Sequence, residues 1–151
     1  MEVKTLSREK KIYAAYGSNM NLQQMAFRCP DAVVIGNAEL PGYELLFRGF
    51  DGGSVATVEP KVGSSVPVVL WEITPVDEEA LDHYEGWPDV YRKETVVVKY
   101  DGEPAEVMFY VMNGNRSLGA PSEYYFNTIL EGYTSAGFDI ETLVQAVSSA
   151  K

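Results

Sequence analysis

Ile12-Tyr13-Ala14-Ala15-Tyr16-Gly17-Ser18-Asn19-Met20 reads as a strand that stops abruptly. The apolar run Ile12 to Tyr16 lies between Lys10-Lys11 and a Gly-Ser-Asn turn, the pattern of a short interior strand. Gly17 adopts backbone angles closed to other residues, so the chain can bend there. Ser18 and Asn19 satisfy turn backbone through their side chains. Asn21 then caps a helix with Leu22, Met25 and Ala26 on one face. A strand, a tight turn and a helix start converge backbone N–H groups on one spot, a concavity suited to a carboxylate. The same residues also fit a plain strand-to-helix connection.

Outward from this stretch, Arg28-Cys29-Pro30-Asp31 ends the helix, because Pro30 disfavours helix in the residue before it. Ala32 to Ile35 and Ala38 to Leu40 are short apolar runs, and Pro41-Gly42 is a turn signal. Tyr43 to Phe50 and Ser54 to Glu59 read as strands, the second closed by Pro60. Val66 to Ile73, β-branched with Trp71 inside it, reads as a central strand. Thr74 and Pro75 open a helix whose first turn holds Asp77, Glu78 and Glu79, and Gly86 with Pro88 closes it. Val90 to Tyr100, Asp101-Gly102 and Glu106 to Met112 predict a hairpin whose second strand is buried on both faces. Two helices follow, one from about Ser122 to Ala136 and one from about Ile140 to Ala150 with a Leu143, Val144, Val147 stripe. The expectation is a flexible tail over 1–10 and one domain over 11–151. Its class is α+β, a small mixed or antiparallel barrel with flanking helices.

The charge balance narrows the partners. Twelve Lys and Arg against twenty-two Asp and Glu give a net charge of −10. No basic field exists to release counterions from nucleic acid, and an anionic membrane surface would repel the chain. Cys29 is the only cysteine, so no intrachain disulfide forms, in keeping with a reducing compartment. The N-terminal residues lack a signal-peptide core, and no run approaches the roughly 20 apolar residues of a membrane span. A cytoplasmic protein is expected.

Among titratable residues Glu85 stands apart. It follows Leu81-Asp82-His83-Tyr84 and precedes Gly86-Trp87 at a helix C-terminus, which disfavours an anion. Apolar shielding by Tyr84 and Trp87 would raise its pKa further, towards the range of a general base. The same features fit a solvent-facing glutamate at a helix end. His83 is the only histidine and has no second ligand at metal spacing, so it reads as a surface residue. Cys29 reads as a structural thiol. No phosphate loop, dinucleotide fingerprint or serine elbow is present. Of ten tyrosines, Tyr13, Tyr16, Tyr91 and Tyr110 are candidates to line a pocket.

Taken in order, these pieces resemble the γ-glutamylcyclotransferase-like (AIG2-like) family. The resemblance starts at Tyr16-Gly17-Ser18-Asn19-Met20, the family's YGSN motif, and continues through Gly53 to Val58 and Val69 to Ile73. It extends over Leu81 to Gly86, Tyr91-Arg92-Lys93, Tyr110-Val111-Met112 and Pro121 to Tyr124. The resemblance implies a small barrel in which the YGSN loop and Glu85 meet in one cavity. It implies that Glu85 is the general acid/base. It further implies that the loop of Tyr13, Ala14, Ala15, Tyr16, Gly17, Ser18 and Asn19 holds the glutamyl end of a small γ-glutamyl substrate. Tyr110 would line that site and Tyr91 would stand beside it.

The implied reaction needs no metal or cofactor. The substrate's α-amine closes on its γ-carbonyl to give 5-oxoproline and expel an amine or amino acid. The leaving group is expected near Trp87 to Val90 and Asn113 to Ala120. Two alternatives stand beside it: a γ-glutamylamine-specific cyclotransferase, and a non-catalytic binding module on the same fold. A protein acting through its acidic face is a third. The sequence does not specify an oligomeric state.

Overall fold

The computed structural model describes residues 10–150, so the expected tail lies, up to residue 9, outside the described residues. β1 (Lys11–Ala15) forms where the sequence places it, and everything else is arranged around it. It pairs antiparallel with β3 (Val55–Ile73), Tyr13 opposite Trp71, and parallel with β5 (Glu103–Met112), Tyr13 opposite Met108. Each neighbour belongs to a hairpin. β2 (Val33–Gly49) lies along β3, and β4 (Tyr91–Tyr100) lies along β5. With β6 (Ser117–Leu118) beside β2, the order is β4-β5-β1-β3-β2-β6. The mixed sheet curls until β4 approaches the start of β2, where the Tyr100 hydroxyl donates to the Ile35 carbonyl at 2.6 Å.

The turn chemistry explains the β4–β5 hairpin. Asp101 and Gly102 both hold positive φ, 55° and 79°, the two-residue turn whose twist matches the strands. From Val107 onwards β5 is buried at every position, as its two-sided apolar pattern requires.

The long hairpin departs from expectation. Pro41-Gly42 is not a turn and Pro60 does not end a strand. β2 and β3 each run on, with an irregularity between the pairs Pro41–Ser65 and Tyr43–Pro60. Prolines are tolerated at such bulges because the ladder bond they lack is already missing. The five short runs of the sequence are therefore two long, bent strands.

Among the described residues four α-helices cover the sheet: α1 (Leu22–Arg28), α2 (Pro75–Glu85), α3 (Glu123–Ala136) and α4 (Glu141–Ser149). Asn21 Oδ1 caps α1 by accepting from the N–H groups of Gln23 and Gln24. Thr74 and Asp77 form a reciprocal capping box on α2, an arrangement of about 1 kcal/mol. Ser122 caps α3. On α4 the buried residues are Leu143 and Ala146, whereas Val144 is 46% exposed. The i, i+3 partner, not the expected i+1 residue, shares the inner face.

α3 presses on the turn after β1. A Cβ at Gly132 would lie 2.7 Å from the Met20 Cβ, so only glycine permits this approach. Ile129 and Tyr133 on the same helix are fully buried. Burial of the Ile129 side chain contributes about 1.5–3 kcal/mol, whereas the Tyr133 hydroxyl, buried without a partner among the described residues, offsets much of what its ring contributes. The turn is thereby sandwiched between sheet and helix.

Candidate active site

Gly17-Ser18-Asn19-Met20 does not simply lead into α1. Ser18–Met20 form a single turn of 3₁₀ helix, with Gly17 at its N-cap and no side chain capping it. The Gly17 and Ser18 carbonyls accept from the Met20 and Asn21 N–H groups, both at 3.0 Å. The first N–H groups of such a turn have no partner within it. Ser18 and Asn19 are nonetheless buried. Asn19 is held from three directions. Its carbonyl accepts from Trp71 Nε1 at 3.1 Å, its Nδ2 donates to the Tyr13 hydroxyl at 3.0 Å, and its Oδ1 accepts from Arg28 Nη1.

Glu85 reaches the same place from the far side. It is the last residue of α2, and Gly86, at φ 70° and ψ 33°, makes the left-handed turn that ends the helix. Here a side chain would strain the backbone and meet Val90 Cγ2 at 2.9 Å. A cavity of about 90 Å³ separates Glu85 from the turn. Its wall consists of Tyr13, Tyr16, Gly17, Ser18, Asn19, Val55, Ala56, Tyr84, Glu85, Tyr91, Tyr110 and Tyr125. Pockets for drug-sized ligands run to roughly 300–1,000 Å³, so this one admits a small group only.

Burial pushes the Glu85 carboxyl up to about 7, against an ordinary 4.5, and the nearby Arg28 cation opposes the rise. The shielding differs in origin from the sequence expectation. Trp87 is 44% exposed and carries the Lys93 ammonium over its ring at 4.1 Å. The turn at Gly86 leads it away from Glu85, whereas Tyr84, the other expected shield, lines the cavity with Glu85 beside tyrosines from β1, β4, β5 and α3. Those phenols stay protonated. Burial raises the pKa values of Tyr13 and Tyr16 well above the ordinary phenol, and those of Tyr91, Tyr110 and Tyr125 also rise. At neutral pH only Glu85, among these lining groups, is poised to exchange a proton.

The hydroxyls fall into two kinds. Tyr16 donates to the Tyr110 carbonyl at 2.7 Å, Tyr91 to the Ala56 carbonyl at 2.7 Å, and Tyr110 to Asp82 Oδ1 at 2.6 Å. These three offer lone pairs to a ligand. Tyr13 instead accepts from Asn19, and Tyr125 accepts from the Ala56 N–H at 3.1 Å, so each retains its own proton. Asp82 is in turn held by Lys93 Nζ at 3.0 Å.

Tyr13, Tyr16, Gly17, Ser18, Asn19, Glu85, Tyr91 and Tyr110, named from sequence, thus share one cavity. Ala14 and Ala15 are buried within β1, opposite Leu70 and Val69, and do not line it. His83 is exposed, and Cys29 is a buried thiol pushed up to about 11 mainly by burial. Tyr125, Val55 and Ala56 escaped the sequence reading, whereas Tyr84, expected there to shield Glu85, lines the cavity with it. Tyr125 had a signal: it starts the stripe Tyr125, Ile129, Gly132, Tyr133, whereas Tyr124 lies off it and is 75% exposed. The loops at Trp87–Val90 and Asn113 meet, since Asn113 Nδ2 donates to the Pro88 and Asp89 carbonyls at 2.8 and 3.1 Å.

A wider groove of about 530 Å³ lies between the start of α1 and α3. Its one carboxylate, Glu131, is occupied by Asn21 Nδ2. Among the described residues no cluster of three metal-ligating side chains occurs, and no helix is long and apolar enough to cross a membrane.

A curled mixed sheet, a buried turn after its first paired strand and a shielded carboxylate in a phenol-lined cavity together define the class of this protein. A family model described as gamma-glutamyl cyclotransferase, AIG2-like, matches residues 13–127. The gamma-glutamylcyclotransferases of Mus musculus and Bos taurus are 30% and 29% identical over 142 residues, covering 88% of this chain and 75% of each relative. The solved structure of a gamma-glutamyl cyclotransferase superposes with a TM-score of 0.82 at 26% identity, over 91% of this chain and 86% of the other. The chain belongs to the gamma-glutamyl cyclotransferase, AIG2-like family.

Proposed function

We propose that this protein is a γ-glutamyl cyclotransferase, closing a γ-glutamyl amide to 5-oxoproline and releasing an amine or amino acid. The observation that carries the reading is Glu85, at a pKa of about 7, facing the Gly17–Asn19 turn across a cavity of about 90 Å³. The substrate brings its own nucleophile. Glu85 takes a proton from the α-ammonium, and the freed nitrogen bonds to the γ-carbon. As the tetrahedral centre collapses and the amide bond breaks, the protonated carboxyl gives its proton to the leaving nitrogen and takes the second proton from the ring nitrogen, which it then passes to the departing amine or to water. The cavity's task is to hold the glutamyl chain folded for attack, the proximity contribution. N–H groups at the start of the 3₁₀ turn suit the α-carboxylate, and the lone pairs of Tyr16, Tyr91 and Tyr110 suit the ammonium.

The small volume supports recognition of the glutamyl end alone, with the leaving group at the mouth near Trp87 to Val90 and Asn113 to Ala120. Pairing of β1 with both hairpins supports residues 11–151 as one functional unit. The lone buried thiol suits a cytoplasmic setting. Release of 5-oxoproline from γ-glutamyl amino acids, γ-glutamyl-amines and glutathione tests the reading and names the leaving group. Binding of 5-oxoproline without turnover of any γ-glutamyl compound would instead indicate a binding module.

A further inference from the structure

We propose that Arg28 is a positioning residue: by donating to Asn19 it fixes the direction of a hydrogen-bond chain that turns the Tyr13 proton towards the γ-carbonyl oxygen of the substrate. The inference rests on the cyclotransferase reading for the identity of that oxygen.

The direction follows from donor chemistry. A guanidinium carries only donors. Its contact with the Asn19 side chain therefore requires the amide oxygen on that side. The amide nitrogen must then face Tyr13, and Nδ2 donates to the Tyr13 hydroxyl at 3.0 Å. With its oxygen accepting, the Tyr13 hydroxyl directs its own proton elsewhere. Among the described residues no protein acceptor takes that proton, and Tyr13 borders the cavity. Replacing the arginine by an apolar side chain would free the amide to turn over, and the Tyr13 proton would then bond back to Asn19.

Every member of the chain is held. Arg28 lies in the last turn of α1, with its guanidinium 3.6 Å over the Tyr84 ring. Asn19 is 3% exposed and anchored by Trp71. Tyr13 is 4% exposed and packs edge-on against Tyr110, ring centroids 5.8 Å apart. As the amine adds to the γ-carbon, the carbonyl oxygen gains negative charge. A fixed donor there stabilises the transition state, and Tyr13 lends a hydrogen bond without losing its proton. Its raised pKa keeps it a donor at any working pH.

Arg28 also faces Glu85. The titratable groups that share the cavity with Glu85 are Tyr13 from β1, Tyr16 from the turn, Tyr84 from α2, Tyr91 from β4, Tyr110 from β5 and Tyr125 from α3. Arg28 is the cation that restrains the carboxyl.

The test compares the wild type with Arg28→Met, Tyr13→Phe, their double variant and Asn19→Asp. It reads kcat and KM for 5-oxoproline release and the Kd of 5-oxoproline, whose lactam carbonyl stands in for the γ-carbonyl. Tyr13→Phe is expected to lower kcat about 100-fold with little change in KM. Arg28→Met should lower it at least about 10-fold and move the acidic limb of the pH profile upward. The double variant should fall no further than about threefold below Tyr13→Phe, because the two act in series.

Asn19→Asp keeps the Arg28 contact but offers only acceptors, so it turns the Tyr13 proton inward and should match Tyr13→Phe. It also answers the question should Arg28→Met fail to fold. Multiplying losses in the double variant, or full activity in Asn19→Asp, would overturn the relay. A wild type that binds 5-oxoproline with the same non-additivity but turns nothing over leaves the relay standing and removes the cyclotransferase reading. Neither binding nor turnover overturns both.

Discussion

Glu85→Gln should abolish turnover and stabilise the protein at neutral pH. The wild-type carboxyl sits at about 7 in the fold against an ordinary 4.5. This carboxylate's folded pKa is raised, so the usual sign is reversed. Below pH 4.5 both folded and unfolded chains hold the proton and Glu85 exacts no penalty. Between 4.5 and 7 the folded chain binds a proton that the unfolded chain has lost, so stability falls as pH rises. Above 7 the penalty is complete. At 1.36 kcal/mol per pH unit it reaches roughly 3 kcal/mol. A glutamine is neutral at every pH and escapes it, less whatever its own polar amide loses on burial.

The measurement is urea unfolding of both proteins at pH 4 and pH 8, beside 5-oxoproline release. The gap should be near zero at pH 4 and approach, at most, about 3 kcal/mol in favour of the variant at pH 8. Turnover should fall by about 10²–10⁴-fold or more. A variant damaged in folding would lose both activity and stability, so the opposite movements are diagnostic. An equal gap at both pH values, or activity surviving in the variant, would refute the reasoning. In the wild type, activity should rise through pH 7 and then level, because burial holds Tyr13, Tyr16, Tyr91, Tyr110 and Tyr125 protonated beyond that range.

Gly132→Ala should destabilise by about 1–3 kcal/mol and weaken turnover, since its Cβ would press on Met20 in the turn at 2.7 Å. A thermal melt and a KM measurement check it. Asp82→Ala removes the acceptor that orients the Tyr110 hydroxyl at 2.6 Å and should raise KM about tenfold. Steady-state kinetics over the substrate panel would show it. The Cys29 thiol, buried and pushed up to about 11, should resist alkylation at pH 8 until the chain unfolds. Labelling across a urea series would follow the global transition.

Much of the fold was legible because its signals are local. The Asp101-Gly102 turn, the Thr74-Pro75 helix start and the Asn21 cap each act within a few residues, and each forms as read. The merging of five short runs into β2 and β3 was not legible. A proline looks like a terminator in sequence, and only the partner strand reveals that its missing bond falls at a bulge. The site divides the same way. Glu85 and the Gly17–Asn19 turn stand out by composition and by resemblance. Arg28 and Asp82 look like ordinary solvated charges. Their importance lies in which amide oxygen or hydroxyl they touch across the fold, and no periodicity encodes that.

The cavity wall draws on residues far apart along the chain: Tyr16 meets Tyr110 across 94 positions, and Ala56 meets Tyr125 of α3 across 69. Such contacts form only after long loops have closed. During synthesis the first strand, its turn and even Glu85 emerge without a wall to shield them, and a carboxylate in water is a poor partner for this chemistry. The chain stays chemically silent until α3 has appeared and docked. In the mature protein the same dependence runs backwards. On the cyclotransferase reading, lifting α3 from the turn should rehydrate the carboxyl and stop the reaction before the sheet comes apart, so turnover should report the loss of α3 packing sooner than secondary structure does.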